Sequence, residues 1–353
     1  MQFAMAFKII GVLLILFSTA MLPSLFLSLI DKDGIESAFA TGLAATLFAG
    51  VMLWLPTRHL SRDLNIRDGF MVTALFWVVL GLFGAIPLWL APDLPLTLAG
   101  AIFESISGLT TTGATVITGL DSLPKSLLFY RQLLQWLGGI GIIVLAVAIL
   151  PMLGIGGMQL YRAESAGPSK DRKLTPRITG TAKALFGIYL LLTIACTASY
   201  FVAGMSMFDA ICHAFSTVAI GGFSTHDASL GHYEQNRVLL VSSVFMLLSA
   251  INFGLHFIAL QRRSVRVYAR DSETAFFVTV IASAAIVVCC LLLTTETLSF
   301  EDSVIHGLFQ TISIATTTGF TTQDFSVWPL FLPILLLILS FMGGCVGSTG
   351  GGM

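Results

Sequence analysis

The stretch Ile314–Thr322 reads IATTTGFTT, five threonines around one glycine and one phenylalanine. Consecutive β-branched residues and a glycine make a poor helix. Yet the stretch lies between apolar runs in a chain of 353 residues that is 56% hydrophobic and only 10% charged. A soluble domain carries roughly 25% charged residues, so the sequence reads as an all-α integral membrane protein with the lipid bilayer as its solvent. At membrane depth, backbone outside a helix persists only where it is buried in protein or lines water. The segment is therefore expected to do one or the other.

It has two counterparts. Aligned without gaps, Gly100–Val116 (GAIFESISGLTTTGATV), Asp209–Thr225 (DAICHAFSTVAIGGFST) and His306–Thr322 (HGLFQTISIATTTGFTT) share a serine column, Ser107, Ser216 and Ser313. Six residues later they share a glycine column, Gly113, Gly222 and Gly319, spaced by 109 and 97 residues. Repetition at a long period is an architectural signal. Full-length spans need about 20 apolar residues, and the candidates are Ala6–Ile30, Ser37–Pro56, Phe70–Leu90, Leu127–Leu153, Ala184–Ala203, Val238–Leu260, Ala275–Thr294 and Trp328 onward. Ala6–Ile30 is too long for a signal-peptide core and reads as a retained span. The mixed segments Leu98–Ala114, Phe208–Phe223 and Val304–Phe320 are shorter, and are expected to re-enter: a half-helix going in, an extended strand coming back.

Charge supports re-entry. With the N-terminus cytoplasmic and the short segments dipping from outside, Lys8, Arg58, Arg62, Arg67, Arg162, Lys170, Arg172, Lys173, Arg177, Lys183, Arg262, Arg263, Arg266 and Arg270 share one side, fourteen of eighteen basic residues. The outer side collects Asp31, Asp33, Glu36, Asp93, Asp121, Asp227, Glu234, Glu296, Glu301, Asp302 and Asp324. Such an acidic mouth attracts cations, although inward displacement of the basic residues alone would leave the same pattern. The expected organisation is a two-span N-terminal domain over 1–67, then repeats over 68–176, 177–273 and 274–353. Each repeat is span, half-helix, strand, span. The repeats run parallel, so their strands converge on one axis along the membrane normal. There, glycine's positive φ turns successive carbonyls the same way, and rings of carbonyl oxygens replace the hydration shell of K⁺.

The T-T-T-G-A, A-I-G-G-F and T-T-T-G-F segments resemble the filter loops of the Trk/Ktr/HKT superfamily of potassium transporters. The two extra N-terminal spans make the chain most similar to the bacterial TrkH branch. The resemblance implies filter contacts at Thr110, Thr111, Thr112 and Gly113; at Ala219, Ile220, Gly221 and Gly222; and at Thr316, Thr317, Thr318 and Gly319. It further implies permeation of K⁺ and Rb⁺ in a bacterial inner membrane, a homodimer, and a cytosolic ring of NAD- or ATP-binding regulatory subunits. The family has four repeats about a pseudo-fourfold pore axis. Three are present here, and a fourth strand is expected roughly 100 residues beyond Gly319.

Gly343–Met353 reads GGCVGSTGGGM, six glycines in eleven residues, too many for a stable helix at about 1 kcal/mol each. The resemblance implies an intramembrane gate loop comprising Gly343, Gly344, Cys345, Gly347, Ser348, Thr349, Gly350, Gly351 and Gly352. Elsewhere Glu104, at membrane depth, is a candidate to pair with Arg131. Gly138, Gly139 and Gly141 read as close helix packing, and the five cysteines as buried inert thiols. No nucleotide-binding, zinc-protease or Ser/His/Asp pattern is present, so no catalysis, organic cofactor or nucleic-acid partner is expected. A Na⁺- or H⁺-coupled transporter of a small solute, built on broken helices, is the competing reading.

Overall fold

The computed structural model describes residues 3–60, 66–92, 94–139, 141, 178–329 and 331–351. Arg62, Asp93, Arg162, Lys170, Arg172, Lys173, Arg177, Gly352 and most of the second half of Leu127–Leu153 lie outside them. Regular structure among the described residues is helical throughout. The chain forms two compact units, residues 1–110 with 114–183, and residues 111–113 with 184–353.

The first unit contains α1 (Phe3–Thr19), α2 (Leu22–Asp31), α3 (Glu36–Trp54), α4 (Ile66–Leu90), α5 (Leu98–Leu109) and α6 (Lys125–Gly139). α1 lies along α3, where Gly11 faces Gly50 so closely that a side chain on either would meet the other helix's backbone. Small residues at such a crossing replace the hydrophobic driving force that lipid removes. α5 packs against α4 and α6. Inside lie the polar side chains Glu104, Ser126, Arg131, Gln132 and Gln135, while Phe26, Phe48 and Val78 face outward. Polar inside and apolar outside is the arrangement a bilayer requires.

The second unit contains α7 (Ile178–Ala203) from residue 184 onward, α8 (Met207–Ala219), α9 (Asn236–Ser249), α10 (Phe253–Arg262), α11 (Arg266–Arg270), α12 (Ser272–Thr294), α13 (Phe300–Ala315) and α14 (Leu332–Ser340). α13 packs on α9, α12 and α14, and α8 on α9. Val202, Phe276 and Ile286 are exposed on this unit's outer surface.

Five described helices are long and apolar enough to cross a membrane: Ala4–Asp31, Glu36–Thr57, Met71–Leu90, Lys183–Ala203 and Ser272–Thr294. Two expected spans differ. Val238–Leu260 is α9 and α10, bent by 95°, and the run after Trp328 gives only α14 before the chain turns at Phe341. The cysteines also differ in part: Cys196, Cys212 and Cys345 are buried, but Cys289 is half-buried and Cys290 is exposed on α12, where an apolar thiol can face lipid.

Candidate functional site

Each segment expected to re-enter contains a short helix with a hydroxyl N-cap. Thr97 accepts from Gly100 N–H before α5, Ser206 from Asp209 N–H before α8, and Ser299 from Asp302 N–H before α13. Capping by Ser or Thr satisfies amides that have no helical partner. α13 begins one turn earlier than the expected segment because its cap is Ser299.

After each helix the backbone takes left-handed φ twice, with one residue between. The angles are 53° at Thr111 and 75° at Gly113, 55° at Ile220 and 78° at Gly222, and 64° at Thr317 and 81° at Gly319. Glycine holds this conformation freely. For β-branched threonine and isoleucine it is a strained outlier, and strain recurring at one column marks a functional constraint. Alternation of left-handed with ordinary φ lets consecutive carbonyls face one side. The amides turn back: Gly221 N–H donates to the Ser216 carbonyl at 2.9 Å, and Thr318 and Gly319 N–H both donate to that of Ser313, at 2.9 and 3.2 Å.

Within the second unit the three strands lie side by side. A Cβ on Gly113 would overlap the Gly221 carbonyl, and one on Gly222 would overlap the Thr318 carbonyl. The glycine column is thus set by close approach as well as by φ. Thr110 and Thr316 turn their hydroxyls back onto the Ile106 and Ile312 carbonyls, 2.7 and 2.8 Å away, and Thr316 and Thr318 hydroxyls meet at 2.8 Å.

Side chains tie each strand to its own helix. Ser107 Oγ donates to the Ala114 carbonyl at 2.6 Å, and Ser313 Oγ to the Phe320 carbonyl at 2.7 Å. One turn earlier on the helix, Glu104 accepts from Thr115 Oγ1 at 2.9 Å and from Val116 N–H at 3.1 Å. Arg131 Nη2 lies 2.7 Å from the same carboxylate, with both side chains buried. In the next repeat His213 Nε2 meets Ser224 Oγ at 2.9 Å. In the column one turn earlier still, Thr225 Oγ1 donates to Asp209 at 2.8 Å, and His306 Nδ1 meets Thr322 Oγ1 at 2.9 Å. On the first unit, Gly138 of α6 runs against the Leu109 carbonyl with no room for a side chain.

Beyond the strands, Gly231 N–H donates to the Thr321 carbonyl at 3.1 Å and Thr321 N–H to Ser229 Oγ at 3.3 Å. A cleft of about 430 Å³ opens there, lined by Asp227, Gly231, Thr321, Thr322, Gln323 and Asp324 among others. Ser326 donates to Asp324 through its hydroxyl and its amide, which holds that carboxyl below its ordinary pKa.

On the other side of the strands lies the glycine-rich segment. Gly343 and Gly347 have φ of 67° and 83°. The segment fills the α9–α10 bend: Cys345 N–H donates to the Ala250 carbonyl at 2.8 Å, Thr349 N–H to that of Ser249 at 3.4 Å, and Phe253 N–H to that of Gly347 at 3.0 Å. Thr349 Oγ1 donates at 2.8 Å to the Val218 carbonyl, in the last turn of α8. A Cβ on Gly350 would touch Ile220 Cδ1 at 3.4 Å, which puts the segment directly against the second strand.

A family described as "TrkH: Cation transport protein" matches residues 35–353. The chain belongs to the TrkH family. It is 54% identical over 357 aligned residues to "Trk system potassium uptake protein TrkH" of Vibrio parahaemolyticus, with 100% of this chain and 73% of the relative covered. It is 52% identical to the protein of the same description from Halomonas elongata and 51% to that of Escherichia coli K12, with the same coverage. The crystal structure of the potassium transporter TrkH from Vibrio parahaemolyticus superposes with a TM-score of 0.89 at 51% identity, covering 100% of this chain and 72% of that one. Within this family member, two features carried no residue-type signal: the second left-handed position, occupied by Thr111, Ile220 and Thr317, and the bend at Ala250–Asn252, which holds neither glycine nor proline.

Proposed function

We propose that this chain takes up K⁺, with Rb⁺ as a surrogate, by channel-like permeation through a carbonyl-lined filter in a bacterial inner membrane. What supports the reading is the paired left-handed column at 111/113, 220/222 and 317/319 in three strands that touch side by side. With the Gly221, Thr318 and Gly319 amides turned toward their own helices, the strand carbonyls on the opposite side of the backbone would replace the water of a monovalent cation. The strands sit in three parallel repeats about a pseudo-fourfold axis, and Thr110–Gly113, Ala219–Gly222 and Thr316–Gly319 supply the ligands. The relatives' printed role in potassium uptake supports the choice of ion. Asp227 and Asp324 give the outer mouth its negative charge, and the N-terminus is cytoplasmic, a reading supported by the basic residues Lys8 and Arg58 falling at the same end, where the Lys8 amine donates to the Leu60 carbonyl at 2.6 Å.

The segment 343–351 is the gate: polar, non-helical and seated against strand two. By family resemblance a nucleotide-binding ring in the cytosol moves it, and the transporter works as a homodimer. Rb⁺ flux into proteoliposomes, with and without an imposed Na⁺ gradient, tests the reading. Flux that follows the Rb⁺ gradient alone is expected; flux that demands Na⁺ would favour the coupled transporter.

A further inference from the structure

We infer that Glu273 is a latch that holds the glycine-rich segment seated; the inference rests on the gate reading above. Val346, at the centre of that segment, has both backbone groups taken. Its N–H donates to Glu273 Oε1 at 2.6 Å, and its carbonyl accepts from Asn252 Nδ2 at 2.7 Å. Asn252 is itself fixed, because its Oδ1 caps α10 by accepting from Gly254 N–H at 2.7 Å. One side of the clamp is therefore part of the α9–α10 bend and cannot leave without breaking a helix cap.

The other side can leave. Glu273 is exposed, in the first turn of α12, and reaches Val346 across 73 residues of sequence. Among the described anchors of the segment it is the charged one, and a carboxylate accepting from an amide makes a stronger bond than a neutral pair. Its helix starts at Asp271, which caps α12 through Thr274 N–H at 2.9 Å. Asp271 in turn follows directly on α11. The α10–α11 turn carries the exposed cations Arg262, Arg263, Arg266 and Arg270. Anything that binds this basic turn and shifts α11 moves the start of α12, and with it Glu273. The carboxylate thereby links the cytosolic surface to a segment at membrane depth, and acts as a positioning residue.

The test uses the full-length protein in proteoliposomes, without a cytosolic regulator. Glu273→Ala is expected to raise Rb⁺ flux roughly fivefold to tenfold, the effect of losing one hydrogen bond to an exposed, solvent-screened carboxylate. It should also speed amide hydrogen exchange across 343–351. Glu273→Gln keeps an acceptor oxygen and should restore most of the wild-type behaviour on both readouts. The combined replacement of Gly347, Ser348 and Thr349 by alanine serves as the reference, since it disrupts the segment itself. If that variant raises flux while Glu273→Ala leaves flux and exchange unchanged, the latch is wrong and the gate stands. If neither variant alters flux, both readings fall. A Gln variant as leaky as Ala would also overturn the hydrogen bond as the cause.

Discussion

The strands proposed as a filter and the glycine-rich segment proposed as a gate are built from the same residue types, T-T-T-G-F in one case and G-S-T-G-G-G in the other, yet they are held in opposite ways. Each strand is tied to the helix that precedes it. Ser107 reaches Ala114, Thr115 reaches Glu104 and Thr225 reaches Asp209, all within sixteen residues of sequence. The glycine-rich segment has few such ties. Its anchors are Glu273, Asn252, Ser249 and Val218, from 73 to 131 residues away. Local rungs make an element that stays put, whereas distant anchors make one that several other elements can release. A filter needs the first property and a gate the second.

That contrast can be broken at four places. The largest effect is expected at the glycine column: Gly222→Ala or Gly113→Ala drives a methyl into a neighbouring carbonyl at a left-handed φ. Rb⁺ flux should fall by about a hundredfold or more, since misplacement of ligands by a fraction of an ångström defeats a preorganised site. Wild-type flux in either variant would undo the side-by-side strand geometry. Next comes Arg131→Met, which leaves Glu104 buried without its cation and should destabilise the protein by about 3–5 kcal/mol. Thermal unfolding in detergent measures this, and Glu104→Gln in the same background should recover part of the loss. Ser313→Ala removes one rung and strands the Phe320 carbonyl, at about 1–3 kcal/mol. Flux through the surviving folded protein should fall rather than rise. The smallest effect belongs to Thr349→Val, which keeps the shape but loses the bond to Val218. A rise in open probability of about twofold to fivefold is expected in single-channel recordings. A fall would mean that the segment supports conduction instead of hindering it.

The same contrast explains how much could be read from the sequence. The serine and glycine columns were legible because each answers a backbone demand that few residue types meet: a short hydroxyl to reach a carbonyl seven residues on, and the absence of a Cβ. The rungs at the Asp209/His306 column were not, because one position is filled by different chemistries: Asp209 with Thr225, and His306 with Thr322. Nor was the second left-handed site, since Thr111, Ile220 and Thr317 are the residue types least expected there. The α9–α10 bend escaped notice for another reason. Ser249–Asn252 contains no breaker, and its broken carbonyls are satisfied by Cys345 and Thr349, about a hundred residues later. A window that sees one helix at a time has no access to that partner. The spans that were legible are those where apolar length alone decides, such as Lys183–Ala203 and Ser272–Thr294.

The short reach of the rungs has a consequence for biogenesis. Contacts that close over so few residues cost little chain entropy and form early. Each hairpin can therefore take shape as it leaves the ribosome and enters the lipid, before its neighbours have been synthesised. Final assembly then requires that finished parts dock, and the glycine-rich segment can settle only once the distant elements that anchor it are in place.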